Sequence, residues 1–166
     1  MPGRDVTVKG TFLANTGTKY SVEHYLEGNG GSYNLKDTTS HTGTTGDTAY
    51  AMPGNYPGYT HNASHADAVE SGTIAGDGSL VLKLYYDKTP YKVYYSITGT
   101  APQGVTAPAA QTHDYSDKVT LEPITNVAGY RFEGWLTDDV TLSGTEFTMP
   151  AHDVYFIGYY VKTVSS

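Results

Sequence analysis

An internal repeat constrains this chain more than any other feature of its sequence. Tyr20-Ser21-Val22 and Tyr91-Lys92-Val93 share the pattern Tyr-x-Val. Asp47 precedes Pro53 by the same interval as Asp117 precedes Pro123, and each pair leads to Gly-Tyr, at 58–59 and 129–130. Ser-Gly-Thr stands at 71–73 and again at 143–145, and each copy closes on an apolar run ending in paired tyrosines, LVLKLYY (80–86) and VYFIGYY (154–160). Landmarks in one order at nearly constant spacing mark a unit that folds twice, so each copy must supply its own core. The expected division is a leading segment at 1–14, a first domain at 15–89 and a second at 90–166.

The repeat is written in strands. Alternation puts Leu80, Leu82, Leu84 and Tyr86 on one face of the first closing run, and Val154, Phe156, Gly158 and Tyr160 on the equivalent face of the second. Tyr155, Ile157 and Tyr159 make the opposite face of the second run apolar too, which predicts a central strand covered on both sides. Gly28-Asn29-Gly30-Gly31 predicts a hairpin after the first strand, and Gly76-Asp77-Gly78-Ser79 a turn before the last. Gly-Tyr after proline predicts a turn in which glycine takes a positive φ and the aromatic is delivered to the core. The best helix candidate is NASHADAVE (62–70), with Asn62 as N-cap, and it is short. The fold class expected is therefore mainly β, α+β at most. The two small domains are joined by Asp87-Lys88-Thr89-Pro90, a link with little swing, so the expectation is an end-to-end arrangement, a rod.

Composition narrows the function classes. Sixteen tyrosines against one tryptophan and four phenylalanines suit strands and turns. No apolar run reaches the roughly 20 residues of a membrane span, so no membrane insertion is expected. The net charge is −7 and the ten Lys and Arg residues are scattered, whereas a nucleic-acid surface concentrates basic groups; no nucleic-acid partner is expected. There is no cysteine, which removes disulfides, thiolate metal sites and Cys nucleophiles.

The opening stretch MPGRDVTVKGTF aligns with MPAHDVYFIGYY (149–160), matching at Met, Pro, Asp, Val and Gly and in the aromatic end. Residues 1–14 read either as the last strand of a preceding repeat of the second type or as a disordered leader that happens to alternate. On the first reading Val6, Val8 and Phe12 have lost their own core, and are expected to be poorly ordered or to add to a sheet edge.

TKYSVEHYLE followed by SGTIAGDGSLVLKLYYDK resembles the MucBP-like repeats of surface proteins from Gram-positive bacteria. YKVYYSITGTAPQGVTAPA, then GYRFEGW and FTMPAHDVYFIGYY, resembles the internalin B-repeat group and the streptococcal SHIRT repeats. The first domain departs from the pattern, with Gly-Tyr-Thr-His at 58–61 where the second has GYRFEGW. The resemblance implies two β-grasp-like, ubiquitin-like units of a secreted, wall-anchored adhesin, with stalk or adhesive roles. Its partners would be adjacent repeats of the same chain and, through the first domain mainly, mucin glycans or a host protein. The expectation is a monomer without cofactors or catalysis.

His61-x-x-x-His65 has helix-face spacing for two metal ligands, but no third ligand or HExxH glutamate accompanies it. Asp77-Gly78-Ser79 and Asp138-Asp139 lack the staggered spacing of a calcium loop and read as turns. Glu23 and Glu27 share one strand face, which suggests a solvated edge rather than two carboxylates across a cleft. There is no GxSxG elbow or phosphate-binding glycine loop. The remaining site candidates are Tyr85, Tyr94 and Tyr155, on the face opposite the expected core, where an amphipathic ring can stack on a sugar or another protein.

Overall fold

The computed structural model describes residues 3, 5–7 and 9–163 of this chain. Among them the regular structure is β throughout, apart from a short 3-10 turn at Asn29–Gly31. Two compact units form: Met1–Gly54 with His61–Tyr86, and Asn55–Thr60 with Asp87–Ser166. Residues 55–60 and 87–89 thus count with the second unit rather than with the first, as the landmarks would have it; Gly58 lies against the ring of Tyr115 there, where a Cβ would come within 2.4 Å of it.

Both units have one topology. The first repeat uses β1 (Thr18–Glu27), β2 (Tyr33–Gly43), β3 (Thr48–Tyr50), β4 (Tyr59–His61), β5 (Ser71–Thr73) and β6 (Val81–Lys88), of which residues 59–60 and 87–88 count with the second unit. The second uses β7 (Pro90–Ile97), β8 (Gln111–Asp114), β9 (Lys118–Thr120), β10 (Tyr130–Leu136), β11 (Glu146–Thr148) and β12 (Val154–Lys162). The sheets run β2-β1-β6-β4 and β8-β7-β12-β10, with the first and last strands of each unit parallel at the centre; β3-β5 and β9-β11 are separate antiparallel ribbons. The hairpin expected after the first strand is present, with Gly30 and Gly31 at φ 84° and 81°.

Backbone hydrogen bonds fix which residues correspond. Gly46 donates to Ile74 O and Ile74 to Asp47 O; Ser116 donates to Met149 O and Met149 to Asp117 O. Ile74 is therefore the counterpart of Met149, and both are buried. This corrects one landmark: Ser71–Thr73 corresponds to Glu146–Thr148, and Ser143-Gly144-Thr145 lies three residues off the structural register. The closing runs also shift by two. Val22 pairs with Leu82 and Val93 with Val154, so Leu82, Leu84 and Tyr86 match Val154, Phe156 and Gly158. A shift of two keeps every side chain on its own face, which is why the duplicated cores survive it.

Each core lies between sheet and ribbon. In the first unit Val22, Ala49, Ile74, Leu82, Leu84 and Tyr86 are buried. In the second, Val93, Tyr95, Val119, Trp135, Phe147, Met149, Val154 and Phe156 form one cluster. Each such aliphatic side chain contributes roughly 1.5–3 kcal/mol by leaving water. At one paired position the two cores exchange bulk. His24 faces the large Tyr86, whereas in the second unit, with Tyr95 in the place of His24, Phe132 and Trp135 leave room only for Gly158: a Cβ there would come within 2.5 Å of Phe132 and 2.8 Å of Trp135. Polar ends of the buried rings tie down crossing loops. Trp135 Nε1 donates to Glu122 O, Glu122 N donates to Tyr95 Oη, Tyr160 Oη donates to Thr125 O, and Gly54 N donates to Tyr86 Oη.

Four expectations need correction. Residues 62–70 form turns, not a helix: Asn62 Oδ1 accepts Ser64 N and its carbonyl accepts His65 N, after which Val69 bridges to Lys83 on β6. One capped turn without a second cannot sustain a helix. The opposite face of β12 is not covered, since Tyr155, Ile157 and Tyr159 are 57%, 47% and 38% exposed. Glu23 and Glu27 lie on β1, which is an interior strand and not an edge. The aromatics of the two Gly-Tyr turns, Tyr59 and Tyr130, are half-buried at strand starts, although both glycines have φ 84° as expected.

Within 1–14, the described residues form no strand. Val6, Phe12 and Leu13 are 83%, 100% and 90% exposed, while Val154 and Tyr160, which align with Val6 and Phe12, are buried in the second unit. Val8 falls outside the described residues.

Candidate functional site

The two sheets turn different outer faces away from their cores, and the aromatic residues decide the difference. In the first unit Tyr25 and Tyr85 sit side by side on the parallel pair β1–β6, their rings stacked at 4.9 Å. The turns after β4 then bring His65 onto Tyr85, ring centres 3.9 Å apart and planes within 4°, while Tyr33 from β2 meets both rings edge-on. Tyr85 is left 7% exposed. Burial pushes its phenol pKa up, with Asp67 and Glu23 adding to the effect. Tyr25 donates to Glu23 at 2.5 Å, and this bond, with burial second, pushes its pKa up to about 12. Tyr85 is thus no open ligand contact, because its own chain occupies that face.

In the second unit the equivalent face is open. Tyr94 on β7 and Tyr155 on β12 are register partners and stack at 4.9 Å, 14° between planes. Tyr94 is half-buried and Tyr155 exposed, and Leu136 and Ile157, cross-strand partners, continue the apolar floor. A shallow depression of about 600 Å³ is lined by Leu136, Thr137, Asp138, Asp139, Tyr155 and Ile157. Its acidic wall has a structural origin. Pairing of β10 with β12 shifts register between Phe132 and Trp135 and ends at Leu136–Ile157, so the amide of Tyr155 lies beyond the ladder and donates to Asp139 Oδ2 at 2.7 Å. Asp139 is held in turn by its amide donating to Thr137 Oγ1. Asp138 is exposed and has no hydrogen bond or ion pair among the described residues.

The other sequence candidates are drawn into structural contacts. His61 Nε2 lies 2.9 Å from Glu70 Oε1, and His65 is stacked on Tyr85, so the two histidines do not converge. Among the described residues no group of three or more His, Asp and Glu could hold a metal ion. Lys88, nearly buried, lies 3.5 Å from Asp117. In the sequence Asp138-Asp139 reads as a turn. Asp139's hold on the Tyr155 amide depends on a register shift that no local pattern announces.

With this geometry in hand, residues 95–163 match the family model described as a divergent InlB B-repeat domain, a span running from Tyr95 on β7 to just past β12. No curated protein matches the chain. Among solved structures, streptococcal high identity repeats in tandem, SHIRT domains 3-4 from a cell surface protein, align over 88% of this chain and 99% of that one, at 15% identity and TM-score 0.33.

Proposed function

We propose that this chain is a non-catalytic repeat segment of a bacterial surface adhesin, serving as a stalk that holds another part of the protein away from the cell wall. The observation that carries this reading is the duplication itself: two units with one strand order, one parallel central pair and one hydrogen-bond frame follow each other with only Thr89 between β6 and β7. A fold that repeats along one chain is suited to setting distance. The B-repeat match over the second unit supports the same reading. The MucBP-like character of the first unit, the Gram-positive wall-anchored location, the monomeric state and contact with adjacent repeats are parts of this proposal. Small-angle scattering tests it. A compact chain of this length has a radius of gyration of about 15 Å; a stalk segment should exceed that clearly, and a value at the compact limit would reject it.

A second reading, a binding module, is favoured by one observation: the open Tyr94–Tyr155 face of the second unit. The resemblance implied mucin glycans or a host protein bound mainly through the first domain, whereas the open rings lie in the second. A mucin pull-down with the Tyr155→Ala variant as control tests this reading; equal capture by both forms would remove the tyrosine face from it.

A further inference from the structure

The depression beside Tyr155 has a filled counterpart in the same chain. Tyr25 and Tyr85 occupy on β1–β6 the positions of Ser96 and Ile157 on β7–β12, since both pairs lie three residues beyond the partners Val22–Leu82 and Val93–Val154. In the first unit the segment following β4 lays a flat nitrogen-bearing ring, His65, over this ground. In the second unit the segment following β10 contributes no ring; it turns through Thr137, Asp138 and Asp139 and leaves the floor of Tyr155, Ile157 and Leu136 bare.

We propose that the second unit receives at this place an arginine side chain of a partner protein. The inference rests on the binding-module reading and names its ligand chemistry. Three features select arginine. The floor is aromatic and aliphatic, and a guanidinium is the cationic group that stacks flat on a ring. The wall carries Asp138, unpaired, and Asp139, whose Oδ1 has no hydrogen bond among the described residues, so the charge is complementary to a cation. No Lys or Arg lines the depression, so the chain does not neutralise it from within. A carboxylate facing a guanidinium makes charge-assisted hydrogen bonds that a sugar hydroxyl matches only weakly.

The experiment is a nuclear magnetic resonance titration of the full chain, labelled with nitrogen-15, with a capped Gly-Gly-Arg-Gly-Gly peptide and its citrulline counterpart, which keeps the planar shape and loses the charge. The arginine peptide should shift the amides of Leu136–Asp139 and Tyr155, and the citrulline peptide should not. Asp138→Asn should weaken the arginine response about threefold, as should raising salt from about 50 to about 500 mM; both changes leave the exposed residue's fold intact, which the unperturbed remainder of the spectrum verifies. Equal response to both peptides overturns the proposal. A response of the same amides to N-acetyllactosamine but not to arginine overturns it while leaving the binding module standing, and no response to either peptide or sugar removes both. Concentration-dependent broadening of these amides without ligand assigns the face to a second copy instead and also overturns it.

Discussion

The imidazole of His65 lies flat on the phenol of Tyr85, ring centres 3.9 Å apart and planes within 4°. This contact closes the outer face of the first unit, and it comes from a segment that makes no helix, held by the Asn62 turn. His65→Ala should open Tyr85 to solvent and destabilise the first unit by about 1 kcal/mol, the worth of an aromatic pair beyond its buried area. Trp135, the only tryptophan, lies in the core of the second unit, so its fluorescence reports that unit. In urea the far-ultraviolet circular dichroism transition should shift, with the fluorescence transition unmoved.

The repeat and its β character were legible because alternation and turn glycines act locally: the inward faces Leu82-Leu84-Tyr86 and Val154-Phe156-Gly158-Tyr160 are as the pattern dictates. The register of the duplication was not. Ser-Gly-Thr recurs in the letters, yet hydrogen bonds from Ile74 and Met149 align Gly72 with Phe147. That offset is three residues and comes from a chance recurrence of three small residues, whereas the closing runs shift by two, which period-two alternation leaves unmarked because every side chain keeps its face. The outer faces were illegible for a different reason. Whether Tyr85 or Tyr155 is covered is decided by where a loop of turns lands, and that depends on contacts distant in sequence. The stacked pair Tyr94–Tyr155 was legible as an outward pair, and its acidic wall was not.

Ser116 has φ 67°, the only non-glycine among the described residues with positive φ, and Gly46 holds the matching position at φ 91°. A left-handed conformation costs an L-residue roughly 1–2 kcal/mol, and glycine's extra freedom in the unfolded chain returns about 0.5–1 of that. Ser116→Gly should therefore stabilise the second unit by about 0.5–1 kcal/mol, seen as a higher midpoint in the Trp135 fluorescence transition. Gly46→Ala should do the reverse to the first unit, seen in circular dichroism.

Gly158 is the place where the second core admits no side chain. A Cβ there would meet the Phe132 ring at 2.5 Å and Trp135 at 2.8 Å, with both rings packed into the sheet. Gly158→Ala should cost about 1–3 kcal/mol through overpacking, lowering the midpoint followed by Trp135 fluorescence and altering that residue's emission in the native state. Phe132→Leu in the same chain should recover part of the loss by withdrawing the nearer ring. If the double variant is as unstable as the sum of the singles, the clash lies elsewhere.

His24 makes the first unit sensitive to acid. It is 4% exposed, its Nδ1 2.9 Å from Tyr86 Oη and its ring stacked beside that of Tyr86, with Asp37 and His41 on β2 acting on its charge. Burial pulls its pKa below the ordinary 6.5; Asp37 opposes this and His41 adds to it. A histidine with a lowered native pKa stays neutral in the fold where the unfolded chain already takes up a proton. Its contribution to stability is therefore intact above pH 6.5 and declines as pH falls below that value toward and past its native pKa. The thermal midpoint of the first unit should drop between pH 7 and pH 5, followed by circular dichroism. His24→Phe, which fills the same core position and carries no titrating group, should flatten that drop. A slope unchanged in the variant would move the acid sensitivity to another group.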